Sequence, residues 1–185
     1  MATQSLVLYL LILGCEVAFW LILLLSLVAR YLLHRGALSR SLLLSLPFVD
    51  VLLLAFTALD LRAGTTATVA HGLAAVYVGF TIAFGSVAVR WADAHFAYRF
   101  ASGAVPAAAP ATGWKAVRFD FELWLRCIAG WIVAFALLEA LVAFIGNDAV
   151  TQPLRVWYKF GFGSVFFWFV FGPAWSLVFF RHKAR

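Results

Sequence analysis

Residues 6–29 read LVLYLLILGCEVAFWLILLLSLVA, an unbroken apolar run in which Glu16 is the one charged side chain. About 20 such residues at 1.5 Å rise cross the ~30 Å hydrocarbon core of a bilayer, so this stretch is a transmembrane helix. It is too long for the apolar region of a cleaved signal peptide, which also needs a basic leader, and residues 1–5 carry no charged side chain. Arg30, Arg35 and Arg40 follow it closely. An uncleaved anchor with the N-terminus outside is the expected result.

Working outward, the same reading predicts further spans over residues 41–61, 69–89, 127–145 and 154–180. Thr65, Thr66 and Thr68 offer N-caps after the second span, so the second and third form a tight hairpin. Residues 146–153 are read as the last outer turn. On this map Arg30, Arg35, Arg40, Arg90, Arg99, Lys115, Arg118, Arg126, Arg181, Lys183 and Arg185 share one side, and only Arg62, Arg155 and Lys159 take the other. That asymmetry places the C-terminus in the cytoplasm. The expected fold class is therefore an all-α integral membrane protein, a bundle of about five transmembrane helices in one domain.

Composition agrees with this. Of 185 residues 65% are hydrophobic and 12% charged, and the mean hydropathy is +1.00. A soluble domain has about 25% charged residues and could not cover so much apolar surface. The net charge of +6 would point to nucleic acid in a soluble protein. Here the cations sit between spans, where they orient the chain and meet anionic lipid, so the expected partner is the bilayer and no nucleic acid is expected. Cys15 and Cys127 fall at different depths and belong to no metal or CxxC motif, so neither a disulfide nor a metal site is expected.

Between the third and fourth spans, residues 101–113 are rich in Ala and Pro and read as a linker. Trp114, Val117, Phe121, Trp124 and Leu125 then recur at helical spacing opposite Lys115, Arg118, Glu122 and Arg126. Residues 114–126 are accordingly predicted to be an interfacial amphipathic helix, with a cytoplasmic extension of the fourth span as the alternative. Arg90, Trp91, Asp93, His95, Tyr98 and Arg99 suit an aromatic and basic anchor at the end of the third span.

Three acids lie inside spans, Glu16, Asp50 and Glu139, all near the estimated midplane. Carboxyls avoid lipid, so at least two are expected to meet inside the bundle, with Thr57 and Asp60 extending the polar face of Asp50 outward. They serve either as a proton or cation relay or, protonated, as hydrogen-bonding glue between helices. Asp60, Arg62 and His71 form a candidate cluster at the outer rim, too small for a metal site. Gly72, Ala75, Gly79, Ala83 and Ser86 repeat at the spacing that lets helices pack closely, and Ala136, Ala140 and Ala143 repeat it beside Glu139. The sequence contains no GxSxG, HExxH or phosphate-loop motif, so no catalytic residue and no cofactor is assigned.

Val49, Asp50, Asp60, Leu61 and Arg62, the run AHGLAAVY at 70–77 and RWAD at 90–93 resemble the YmcC-like family of small uncharacterised bacterial membrane proteins. The resemblance implies a multi-pass protein of the bacterial cytoplasmic (inner) membrane and no particular activity. A non-enzymatic interaction or accessory subunit of a membrane assembly, with a protein partner or a second copy, is the leading expectation. A small proton- or cation-coupled transporter is second, and a membrane-embedded enzyme third.

Overall fold

A computed structural model describes residues 2–100, 103–110 and 113–179. Helix α1 spans Ala2–Tyr31, α2 Gly36–Arg62, α3 Val69–Phe100 and α4 Gly113–Ile145. The remainder of the chain continues through short α5 (Asp148–Thr151), a 3-10 turn (Gln152–Arg155), α6 (Val156–Phe169), a π-helical turn (Val170–Ala174) and α7 (Trp175–Val178). Among the described residues, five helical stretches are long and apolar enough to cross a membrane, the fifth running from Asp148 to Val178. Large apolar side chains such as Leu44, Phe48, Ile132 and Phe162 stand exposed around the bundle, as a protein solvated by lipid requires.

Sequence chemistry ends the helices where expected at one end of the bundle. Gly64 and Gly146 adopt left-handed φ of 95° and 64°, the conformation that stops a helix and that side-chain-bearing residues resist. Asn147 then caps α5, its side chain accepting from the Ala149 and Val150 amides. Residues 146–153, expected to be a turn, thus already hold the first helical residues of the last span. This end, with the α2–α3 turn and the α4–α5 link, is called the Arg62 end below. At the other end Arg30 meets Asp93 at 2.6 Å, and the Tyr31 hydroxyl donates to the Asp93 carbonyl at 2.8 Å. Both contacts tie α1 to α3.

Two boundaries differ from the sequence expectation. Helix α3 continues past residue 89 to Phe100, so the aromatic and basic anchor is its last three turns. Residues 114–126 do not form a separate interfacial helix. They are the first part of α4, a single 33-residue helix. Part of its apolar face is used on protein: Val117 is buried, and Trp124 donates its indole N–H to the Val165 carbonyl at 3.0 Å and packs against Phe169, while Trp114, Phe121 and Leu125 stay exposed. The sequence pattern is real, but a helix packed on α6 needs the same apolar stripe as one lying on lipid.

Helices α3 and α4 cross closely at Gly79 and Gly130. A Cβ on Gly79 would collide with the Gly130 carbonyl and lie 2.9 Å from the Ala134 amide. Gly72 takes the Trp157 indole, and Ala75 and Ala83 are buried. The expected small-residue seam therefore exists from Gly72 to Ala83. Ser86 is exposed and lies outside it. At the seam's end Arg126 reaches across to donate to the Ala83 carbonyl at 3.0 Å. Cys15 and Cys127 are both free and belong to separate packing clusters.

Candidate functional site

Helix α2 buries Ser39, Leu46, Asp50, Leu53, Thr57, Asp60 and Leu61. From Leu46 to Asp60 the steps alternate between four and three residues, which keeps these positions on one face of a helix. That buried face is therefore partly polar, with Asp50 and Thr57 alternating with leucines and Asp60 at its Arg62 end.

At that end the α2–α3 turn builds a closed polar clamp. His71 is 4% and Asp60 1% exposed. The Thr68 amide donates to His71 Nδ1 at 3.0 Å, so the other ring nitrogen carries the hydrogen and Nε2 donates to Asp60 Oδ2 at 3.0 Å. The Thr65 hydroxyl donates to Asp60 Oδ1, also at 3.0 Å. His71 stands three residues after Thr68 and returns a bond to its amide, the part that Glu or Gln plays in a capping box. Arg62 does not join this cluster. Its guanidinium stacks on the Phe144 ring of α4, 4.7 Å from the centroid, because it leaves α2 on the exposed side.

Asp50 lies mid-helix, about 18 Å from Arg62 at 1.5 Å per residue. It is 4% exposed, and its Oδ2 is buried without a hydrogen-bond partner, as is the Thr57 hydroxyl oxygen. It lines a cavity of about 40 Å³ with Phe19 and Trp20 of α1, Leu53, and Tyr77 of α3. Thr81 of α3 lies near its carboxyl.

Glu139 does not turn inward. It lies on the exposed side of α4, one residue from buried Leu138, and accepts from the Tyr158 hydroxyl of α6 at 2.7 Å. It sits about 9 Å from the end of α4 at Ile145, well off the middle of the helix. The expected midplane meeting of acids is corrected for one pair: Asp50 faces α1 and α3, and Glu139 faces outward beside α6, while a meeting of Asp50 with Glu16 rests on a side chain outside the described residues. The depth estimate failed because it began the fourth span at residue 127, whereas α4 begins at Gly113 and most of the additional length is at the far end. The Glu16 side chain lies outside the described residues. Ala136, Ala140 and Ala143 share the exposed face with Glu139. Beside them a groove of about 360 Å³ runs between α2 and α4, lined by Ala55, Ala58, Leu137, Ala140 and Phe144 among others.

Several functional contacts escaped the sequence reading. Tyr77 and Tyr158 looked like ordinary aromatics of apolar spans, and nothing local says which helix each faces. Asp120 bonds Ser176 of α7 across 56 residues, which no spacing within one helix reveals. Thr68 and His71 were legible as a three-residue capping interval, although His is not the usual partner.

No protein-family model and no solved structure matches this chain. A curated relative does: the uncharacterised membrane protein YmcC of Bacillus subtilis (strain 168) is 36% identical over 141 residues, which cover 76% of this chain and 75% of the relative.

Proposed function

The chain belongs to the family of the YmcC membrane protein, and on that footing we propose that it acts as a non-enzymatic interaction subunit of a cytoplasmic-membrane assembly, docking a partner's transmembrane helix on the exposed face of α4. The observation that carries this reading is Glu139. A carboxyl at the lipid-facing surface of a membrane helix is costly, and such residues normally find polar partners. Tyr158 serves one carboxyl oxygen, and among the described residues no other side chain bonds Glu139, which leaves the second oxygen open to a donor from a partner.

The neighbours of Glu139 suit a helix. Ala136, Ala140 and Ala143 present no side chain beyond Cβ, so another backbone can approach closely. The groove between α2 and α4 offers side chains of that helix an apolar slot continuous with Ala140. The partner this surface fits has small residues at the crossing and a hydrogen-bond donor at the level of Glu139. A photo-crosslinker placed at Ala140 should capture one defined membrane protein, and one placed at Phe162, exposed on α6, should not. Adducts to lipid alone would overturn the reading. An adduct of two copies of this chain would replace the foreign partner with a homo-oligomer.

A further inference from the structure

We propose that Asp50 is an intramembrane proton-binding site, whose carboxyl exchanges a proton with water held in the cavity between it and Tyr77. This goes beyond helix docking and does not rest on it, since the cavity opens among α1, α2 and α3 and shares no residue with the exposed face of α4.

Three observations converge on it. Asp50 is almost wholly buried, yet Oδ2 has no partner. An orphaned carboxyl oxygen at mid-helix is costly while the carboxyl carries charge, and a bound proton removes that charge. The cavity beside it measures about 40 Å³, and roughly 10–15 Å³ on this kind of measure admits one water. A buried water also needs polar partners, and the lining includes Asp50 and Tyr77. Phe19, Trp20 and Leu53 complete it, so among the described residues Asp50 is the one acidic or basic side chain at the cavity.

That lining selects the ligand. A metal cation of the Ca2+ or Mg2+ kind takes six or more oxygens, and the described lining residues offer one carboxylate and one tyrosine. A proton needs only the carboxylate: hydronium in the cavity gives its proton to Asp50 and remains as water, and the reverse step releases it. The site also has a direction. Thr57, two turns along the same buried face, has a buried hydroxyl with no partner, and Asp60 and His71 follow towards the Arg62 end. In the other direction the buried face offers Leu46 and then Ser39, about three turns from Asp50, so the nearer polar step among the described residues lies on the Arg62 side. Exchange is therefore expected with the Arg62 end of the bundle.

The test is infrared spectroscopy of the full chain in phospholipid vesicles, following carboxylic-acid C=O absorption as pH is varied. The expected result is a band that titrates, disappears in Asp50→Asn, and persists at a displaced frequency in Asp50→Glu. Tyr77→Phe, which leaves the carboxyl in place, should displace the same band because the water loses its second partner. A band set that Asp50→Asn leaves unchanged, or an Asp50 band indifferent to pH wherever the protein stays folded, overturns the proposal. So does a band that shifts with added Na+ or K+ at fixed pH, which would make the ligand a cation. If Asp50→Asn does not fold, an unmoved band in both Asp50→Glu and Tyr77→Phe overturns it equally.

Discussion

Asp60 and His71 are each almost inaccessible, so neither can exchange its partner for water. Removing one member of a buried pair leaves the other desolvated and uncompensated, a loss of about 3–5 kcal/mol. His71→Ala should therefore lower thermal stability in detergent by that order, and Asp60→Asn added to it should recover a large part, because an unpaired amide costs less to bury than an unpaired carboxylate. A double variant no more stable than His71→Ala would show that the pair is not what holds the turn. Histidine and aspartate at this turn were visible in the sequence. Their bond was not separable there from one to Arg62, because residues 60 and 62 lie close in sequence and only the helix phase puts one inside and the other out.

At the scale of helices, the crossing of α3 and α4 depends on the absence of side chains at Gly79 and Gly130. Gly79→Leu must push the helices apart and should cost about 1–3 kcal/mol, the usual penalty of overpacking. Gly85→Ala is the contrast: its Cβ would meet only the Thr81 methyl at 3.8 Å, and stability should be unchanged or slightly raised. Thermal unfolding of the two variants side by side checks both. The last span makes a second prediction. Pro173 lies in the π-helical turn, where the widened backbone accommodates a residue with no N–H to donate. Restoring a regular helix there would rotate Ser176 relative to Asp120, which it now contacts. Cysteines at positions 120 and 176, in a background lacking Cys15 and Cys127, should crosslink readily, and Pro173→Ala should reduce the yield several-fold. An equal yield would mean that the π turn does not set the phase of α7. The proline was legible in the sequence; the choice of a π turn over a kink was not, since it follows from α7 being held against α4.

For the molecule as a whole, the span map read from the sequence, with eleven cations on one side and three on the other, predicts an orientation. Membrane-impermeant thiol reagents applied to intact cells should label cysteines introduced at Thr3 and Asn147, and should not label one introduced at Ala184. The reverse pattern would turn the bundle over. It would also reverse the side from which Asp50 is proposed to exchange protons, without touching the chemistry of that site.

The sequence by itself determined that the chain is an all-helical membrane protein with about five helices long and apolar enough to cross. Those properties depend on local quantities: apolar length, charge between spans, and helix-stopping glycines such as Gly64 and Gly146. Tertiary structure decided which polar groups meet. In a chain where almost every helix position is apolar, periodicity hardly distinguishes the face that packs on protein from the face that packs on lipid. Asp50 and Glu139 therefore look alike in sequence, each a lone acid in a hydrophobic span. Only packing against α1 and α3 encloses one, and only the exposed side of α4 leaves the other at the surface with Tyr158.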